Sequence, residues 1–290
     1  MYSALYWTLY GDHYNIWAEG TSPYEGIFLT RTRFITALVA LPIVVVLIRL
    51  GNWPFFVALT AIGLLATWEY VHILQHKGHR PNPIFACVFF VSLMLDRQLP
   101  AWEITIPTIT FLLMLLLVWE LFQTQDAAQP VDWALTAVGG IYIGLGLSHL
   151  LGLRLRVDGQ AWVWVAIACT WGADTLAYFG GRAWGRHKFW PRWSPKKTWE
   201  GFMAGIFGGM LGGWIVTLFL PLPLAHVLAV GVLVALVGPF GDLSVSMIKR
   251  YTGVKDSSQL LPGHGGFLDR IDSILFAAVV VFYYAAWIVG

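Results

Sequence analysis

The sequence has 290 residues, of which 58% are hydrophobic and only 12% are charged, and its formal net charge is +2. Soluble domains carry about 25% charged residues, so this composition excludes an ordinary soluble protein and predicts an integral membrane protein. The small net charge gives no indication of nucleic-acid binding, and we expect no nucleic acid among the partners.

The first segment, residues 1–32, is aromatic and mixed in polarity. Acidic residues and a histidine interrupt its apolar stretches, so we expect an interfacial segment rather than a membrane span. The rest of the chain divides into N-terminal transmembrane helices, 33–159, and a transmembrane region that carries the polar motifs, 160–290.

Apolar runs long enough to cross a bilayer recur after the first segment. A helical span needs roughly 20 predominantly apolar residues. We predict an all-α, polytopic membrane protein with about nine transmembrane helices, of which the third is short. The predicted spans are 34–51, 54–75, 83–97, 102–123, 133–153, 160–181, 201–221, 223–248 and 268–289.

The basic residues indicate the orientation of these spans. With the N-terminus in the cytoplasm, nine crossings place fourteen of the 18 Lys and Arg residues on the cytoplasmic side and four on the other side. Such a bias is typical of membrane proteins, whose cytoplasmic loops are rich in Lys and Arg. We therefore expect the polar motifs to face the cytoplasm.

A glycine stripe runs along the predicted span 201–221. Small residues at helical spacing let helix backbones pack closely. Packing within the chain, a dimer contact and a lipid-entry groove are all consistent with it. The stripe consists of Gly205, Gly209 and Gly213, with Gly208 and Gly212 beside them.

The most polar stretch of the chain is 246–272, SMIKRYTGVKDSSQLLPGHGGFLDRID. Its cations suit phosphate oxygens, whereas its carboxylates would repel phosphate unless a divalent cation lay between them. Gly263, Gly265 and Gly266 allow the backbone to turn sharply and approach a ligand closely. This combination predicts metal-assisted handling of a phosphorylated substrate. The ionisable residues concerned are Lys249, Arg250, Lys255, Asp256, His264, Asp269, Arg270 and Asp272.

Asp242 lies in the preceding predicted helix. It shares one helical face with Ser246 and Lys249, because the three are separated by four and three residues. An acid within a membrane segment is costly and usually faces a cavity or a site, so we predict a metal ligand. A structural ion pair with a neighbouring cation is the alternative.

Asp269 and Asp272 open the last predicted span, on one side of its helix. Instead of binding metal, either could cap that helix and interact favourably with its dipole. His264, between two glycines, could carry a proton, bind phosphate or form part of a turn.

A second polar cluster begins at Asp174. Asp174, Tyr178 and Arg182 fall at intervals of four, which gives a polar stripe along a helix. Basic side chains, a hydroxyl and backbone donors before the next helix suit a polyphosphate. Alternatively, these cations only contact anionic lipid headgroups. The motif before that helix, SPKKTWEG, contributes Ser194, Lys196, Lys197 and Thr198.

The polar positions of 246–272 resemble, at matching spacing, the signature of the phosphatidate cytidylyltransferases (CDP-diacylglycerol synthases). A similar Asp…Tyr…Gly-Arg…Ser-Pro-Lys-Lys-Thr…Glu-Gly pattern begins at Asp174, so the resemblance covers roughly 160–290, while the N-terminal half agrees only in hydropathy. The matching signature positions are Ser246, Lys249, Arg250, Lys255, Asp256, Pro262, His264, Gly265, Gly266, Asp269, Arg270, Ile271 and Asp272.

The resemblance implies transfer of the cytidylyl group of CTP to phosphatidic acid, which gives CDP-diacylglycerol and pyrophosphate in membrane phospholipid biosynthesis. It further implies dependence on Mg²⁺ with room for a second cation, a location in the bacterial inner membrane and a homodimer. By the same resemblance, Asp242 and Asp269 are associated with the catalytic metal ions.

The candidate site combines these assignments. Catalytic roles are predicted for Asp242, Asp269, Lys249 and His264, and metal binding for Asp242, Asp269 and Asp272. Substrate binding is predicted for Ser194, Lys196, Lys197, Thr198, Ser246, Arg250, Lys255, Asp256, Arg270, Asp174, Tyr178 and Arg182.

Two other functions are consistent with part of this pattern. A CTP-using lipid kinase that acts on an alcohol would need a base to activate the hydroxyl and would release CDP. A transporter could use the embedded carboxylates of Asp174 and Asp242 for an ion pathway, although the charges of this chain cluster at one face.

Three further acids, Glu69, Glu103 and Glu120, lie in or beside predicted spans. Glu69 and Glu120 each follow a Trp near a predicted cytoplasmic end, so solvation at the membrane interface would account for them. We do not include any of the three in the candidate site.

Overall fold

The computed structural model describes residue 38 and residues 41–123, 129–261 and 265–290. The expected interfacial segment, 1–32, and the candidate residue His264 lie outside the described residues.

In the described residues the chain forms nine helices, and each predicted span contains one of them. A 3₁₀ turn, Pro100–Trp102, separates the third helix from the fourth, and a π-helical turn, Ala285–Val289, continues the last helix. The helices are α1 (Leu41–Leu50), α2 (Asn52–Gln75), α3 (Pro83–Gln98), α4 (Thr105–Leu121), α5 (Asp132–Leu155), α6 (Gly159–Trp184), α7 (Trp199–Thr217), α8 (Leu224–Thr252) and α9 (Leu268–Tyr284).

Four helical segments are long and apolar enough to cross a membrane: α2, α5, α8 and Leu268–Val289. Leu41–Leu50 and α4 are apolar but shorter. Large apolar side chains such as Ile106 and Phe207 are exposed on the outer faces of the helices. Extensive exposed apolar surface marks a face that contacts lipid or protein rather than water. The architecture is that of an α-helical integral membrane protein.

A two-stranded antiparallel hairpin lies between α6 and α7, where the sequence suggested only a polar loop. Its strands are β1 (Lys188–Trp190) and β2 (Ser194–Thr198). Thr198 ends β2 and also caps α7, since its hydroxyl oxygen accepts the N–H of Gly201 at 3.1 Å. The Ser-Pro-Lys-Lys-Thr motif is therefore an ordered strand joined directly to a helix.

The glycine stripe fixes α7 between α6 and α8. A Cβ added at Gly208 would collide with the backbone carbonyl of Gly172 in α6, and one added at Gly209 would collide with that of Gly231 in α8. The other three glycines of the stripe also face α6 or α8, Gly212 against the carbonyl of Ala168 and Gly205 and Gly213 in looser contact. Packing within the chain, one of the three interpretations of the stripe, is confirmed.

The helix ends meet at two opposite ends of the bundle. At the end that we call the site end, α2, α6 and α8 terminate and α7 and α9 begin. At the opposite end, Arg154 Nε donates to the carbonyl of Ile48 at 2.6 Å and Arg156 Nη2 donates to that of Ala285 at 3.1 Å. These contacts group the ends of α1, α5 and α9 on the side away from the site.

The glycine packing predicts a difference between two Gly→Ala variants. Gly208→Ala would force α6 and α7 apart and should destabilise the protein by about 1–3 kcal/mol, the usual cost of overpacking. In Gly238→Ala, the new Cβ would have the Cβ of Ser273 as its neighbour, at 3.9 Å. Because alanine is the better helix former, this variant should be neutral or stabilised by about 0.5–1 kcal/mol. Thermal unfolding in detergent checks the ranking, and equal midpoints would contradict it.

Candidate active site

A cavity of about 560 Å³ opens between α6, α7, α8 and the hairpin, and we call it the polar cavity after the ionisable side chains that form part of its otherwise apolar lining. Its walls combine the stripe on α6 with the cations of β2 and the carboxylate of α8. The cluster that begins at Asp174 thus meets Asp242 of α8, whereas none of the described residues of the stretch 246–272 lines the polar cavity. The ionisable and hydroxyl residues that line the polar cavity are Asp174, Tyr178, Arg182, Lys196, Lys197, Thr198 and Asp242.

Lys197 and Asp242 form the central ion pair of the polar cavity. Lys197 Nζ lies 2.6 Å from Asp242 Oδ2, and the two side chains are 28% and 33% exposed. Ser246 Oγ donates to Asp242 Oδ1 at 3.1 Å, which confirms that these two residues share a face of α8. Asp242 is therefore paired with a cation, as expected if it forms a structural ion pair. Both partners nevertheless remain open to the polar cavity.

Asp272 lies beneath the polar cavity, where α8 and α9 are in close contact. A Cβ added at Gly241 would collide with the backbone carbonyl of Asp272, and the Asp272 side chain is buried. The charges of Asp242, Asp174 and Lys249 all act on the Asp272 carboxyl group. Carboxylates from α6, α8 and α9 are thus close enough to interact.

These carboxylates are the candidate ligands for a divalent cation. No cluster of three or more Asp, Glu, His or Cys side chains is arranged to hold a metal within the ranges that the structure describes. Mg²⁺ does not require such a cage, because it usually binds one or two protein carboxylates together with phosphates and water. Asp242, open to the polar cavity and flanked by Asp174 and Asp272, fits that mode of binding.

Lys249 and Asp269 belong to a second, buried network at the site end. Lys249 Nζ lies 2.5 Å from Asp269 Oδ1, and the side chains are only 10% and 7% exposed. Asp269 Oδ2 accepts the N–H groups of Ser257 and Gly266, at 2.8 and 3.1 Å, and the hydroxyl of Ser257 at 3.0 Å. The bond from Gly266 resembles a capping box, so Asp269 does contribute to the start of α9.

Glu69 of α2 completes this buried network, although its place beside Trp68 predicted only solvation at the membrane interface. Its side chain is 0% exposed, so interfacial solvation is the wrong explanation. Its carboxylate accepts the hydroxyls of Ser257 and Ser258, at 2.9 and 2.6 Å, and the N–H groups of Phe267 and Leu268, at 2.9 and 2.8 Å. An acid inside a predicted span usually faces a site, and this signal could have identified Glu69.

Some predicted substrate-binding residues do not line the polar cavity. Arg270 is exposed at the start of α9, near enough for its charge to act on Asp174. Ser194 lies in β2, Ser246 and Arg250 lie in α8, and Lys255 and Asp256 follow α8. Of these, Arg250, Lys255 and Asp256 are exposed to solvent.

Comparison with known proteins identifies the family. A family model described as "Cytidylyltransferase family" matches residues 31–288. The chain belongs to the cytidylyltransferase family. The phosphatidate cytidylyltransferase of Bacillus subtilis (strain 168) is 30% identical over 262 residues, which cover 88% of this chain and 97% of that protein. The phosphatidate cytidylyltransferase of Synechocystis sp. is 32% identical over 281 residues, which cover 87% and 95%.

Membership of the cytidylyltransferase family confirms the resemblance that the signature in 246–272 carries. The match also reaches well beyond the region 160–290 that the motifs indicated. The N-terminal half, including α2 and Glu69, therefore lies within the match to the family model, so its similarity to the family is not limited to hydropathy.

The two lysine–carboxylate pairs should differ in their contribution to stability. Lys249→Met leaves a buried carboxylate without its cation, a loss that typically costs about 3–5 kcal/mol. Lys197→Met breaks a pair that is about one-third exposed, for which about 0–1 kcal/mol is usual. Thermal unfolding in detergent should show a clearly larger loss for Lys249→Met. Equal losses in the two matched variants would show that the buried network does not hold the site end together.

Proposed function

We propose that this protein is a phosphatidate cytidylyltransferase. The phosphate of phosphatidic acid attacks the α-phosphorus of CTP, and CDP-diacylglycerol and pyrophosphate are the products. The observation that carries the proposal is the meeting of Asp242 with the cations of β2 in one cavity, in a chain whose relatives bear this name.

The polar cavity is suited to the nucleotide. Its volume of about 560 Å³ lies within the range of roughly 300–1,000 Å³ that is usual for ligand sites. Arg182, Lys196 and Lys197 bind the phosphates, and the start of α7 adds backbone donors. Roles in substrate binding for Ser194, Thr198, Tyr178, Ser246, Arg250, Lys255, Asp256 and Arg270 stay predictions.

The Lys197–Asp242 pair gives the polar cavity a way to accept an anion. In the free protein, each side chain neutralises the other at 2.6 Å. A phosphate oxygen that approaches Lys197 takes over as its partner, which frees the carboxylate of Asp242. Because the pair is partly exposed, this exchange does not require a buried charge to be left alone.

Positioning and charge neutralisation are the main contributions of the protein to the reaction. Phosphatidic acid is already an anion, so a dedicated strong base is not needed. Lys249 holds Asp269 in place, and a direct catalytic role for Lys249 stays a prediction, because its side chain is 10% exposed and does not line the polar cavity. A role for His264 in proton transfer or phosphate binding stays a prediction.

We propose that Asp242 and Asp269, with Asp272 and Asp174 close by, hold Mg²⁺. Asp269 Oδ2 already accepts two backbone N–H groups and lies 3.0 Å from Ser257 Oγ, so Oδ1 is the oxygen that retains a lone pair beside Lys249. When bound, the ion would neutralise phosphate charge during the transfer. Four carboxylates leave room for a second cation.

In the membrane, we propose nine crossings with the site end facing the cytoplasm of a bacterial cell. The distribution of Lys and Arg supports this orientation. The grouping of helix ends supports this orientation too. The C-terminal ends of α2, α6 and α8 lie at the site end and those of α1, α5 and α9 at the opposite end, as expected if successive helices cross in alternating directions. The acyl chains stay in the bilayer while the headgroup reaches the polar cavity. We also propose a homodimer, whose contact would lie outside the glycine stripe that the chain uses internally.

Two carboxylate variants test the assignment of the reaction. Purified protein supplied with phosphatidic acid, labelled CTP and Mg²⁺ should form CDP-diacylglycerol and pyrophosphate. Asp242→Asn and Asp269→Asn should lower turnover about 100-fold or more, since each removes charge from the reacting centre. Glu103→Gln, which changes an exposed acid outside the site, is the matched control and should retain turnover.

Other results would favour the rival functions. Accumulation of CDP with a phosphorylated alcohol would identify a lipid kinase, and solute flux in liposomes without nucleotide turnover would identify a transporter. Unchanged turnover in both Asp→Asn variants would remove the carboxylates from the reaction.

The proposed cation predicts a specific dependence on Mg²⁺. Chelation with EDTA should abolish turnover, and added Mg²⁺ should restore it. Asp272→Asn should raise the Mg²⁺ concentration for half-maximal turnover by about tenfold or more, because a hard cation binds more weakly as the site loses charge. Glu120→Gln should leave that concentration unchanged. Full turnover in EDTA would rule out the metal proposal.

A further inference from the structure

Glu69 makes a set of contacts that the proposed reaction does not yet use. It lies in the last two turns of α2, in the N-terminal half of the chain, while all its partners belong to the signature region or its edge. Its side chain is fully buried. A buried carboxylate requires a full set of hydrogen bonds, and Glu69 accepts four of them.

Two of these bonds cap α9 from another helix. The N–H groups of Phe267 and Leu268 lie at the start of α9, where backbone donors have no partner within the helix. The N-cap residue, Phe267, provides no side-chain cap of its own. Glu69 accepts both donors, at 2.9 and 2.8 Å, and places a negative charge at the positive end of the α9 dipole.

The other two bonds connect Glu69 with the segment before α9. Ser258 donates to it at 2.6 Å, and Ser257 Oγ lies 2.9 Å from Glu69 Oε2 and 3.0 Å from Asp269 Oδ2. The single hydroxyl proton of Ser257 is therefore within reach of both carboxylates and is shared between them. A Cβ added at Gly266 would collide with the Glu69 carboxylate and with Ser257 Oγ, so glycine is required for this close approach.

We propose that Glu69 is a positioning residue for cytidylyl transfer: from α2 it fixes the start of α9 and, through Ser257, the orientation of Asp269. This inference rests on the proposed function. Glu69 is not among the residues that line the polar cavity, so it acts through Asp269 and not by contact with the nucleotide. The expected consequence is an effect on kcat with little effect on the KM for CTP.

The test compares Glu69→Gln with Glu120→Gln. Both acids follow a Trp near the end of a helix, but Glu120 lies in the last turn of α4 and is partly exposed. In Glu69→Gln an amide N–H₂ group replaces one acceptor oxygen. This N–H₂ group would then face a serine hydroxyl or a backbone N–H of α9, which are themselves donors. We expect kcat per folded protein to fall about 10- to 100-fold, as for displaced catalytic geometry, with the KM for CTP within about twofold of wild type.

Hydrogen exchange provides a readout that does not depend on activity. In Glu69→Gln the amides of Phe267 and Leu268 should exchange faster, while those in the middle of α6 should exchange as in the wild type. In Glu120→Gln both kcat and exchange should be unchanged. A general loss of structure would instead raise exchange in α6 as well.

Each outcome decides the inference. A fall in kcat together with faster exchange of the Phe267 and Leu268 amides supports the inference. Either change without the other overturns it. A rise in exchange that is the same in α6 as at the start of α9 overturns it too. If Glu69→Gln does not fold, Ser258→Ala is tested instead, because it removes one hydrogen-bond donor to Glu69. Wild-type kcat and wild-type amide exchange in Ser258→Ala would overturn the inference. If the wild type forms no pyrophosphate from CTP and phosphatidic acid, the proposed function fails, and exchange alone then decides whether Glu69 fixes α9.

Discussion

A charged side chain that is buried away from water requires a hydrogen-bond or ion-pair partner. At the site end, these partners come from different helices. Glu69 of α2 receives its hydrogen bonds from the segment before α9 and from α9 itself, and Lys249 of α8 contacts Asp269 of α9. An unpartnered charge in an apolar bundle would be costly. The contacts that make these charges tolerable therefore also set the positions of α2, α8 and α9 relative to one another.

The site end has two polar layers with different properties. The buried network around Asp269 is nearly saturated with hydrogen bonds, which suits a scaffold. In the polar cavity, the Lys197–Asp242 pair is partly exposed, so each member can exchange its partner for a substrate group. The structure thus separates the groups that hold the site from the groups that can meet an anion, and Asp272 lies where the two layers come together.

The helices and much of the site could be predicted from local sequence. Apolar runs located each helix, and helical spacing placed Asp242 and Ser246 on one face. The hairpin was missed because strands of three and five residues leave little alternating pattern. Glu69 was missed for another reason: Ser257 is 188 residues away and Leu268 is 199 residues away. Its local context, a Trp followed by Glu at a helix end, is the same as that of Glu120, and only the packing of α2 against α9 distinguishes them.

The central claim is that Asp242, which lines the polar cavity, and a carboxylate at the start of α9, which lies outside that lining, bind a divalent cation together with the nucleotide. Anomalous scattering from crystals grown with Mn²⁺ and CTP tests it most directly. The account predicts a peak at the polar cavity, within about 2.0–2.3 Å of carboxylate oxygens of Asp242 and at least one of Asp269 and Asp272. A nucleotide-bound Mn²⁺ elsewhere, with these carboxylates directed away from it, would contradict the account.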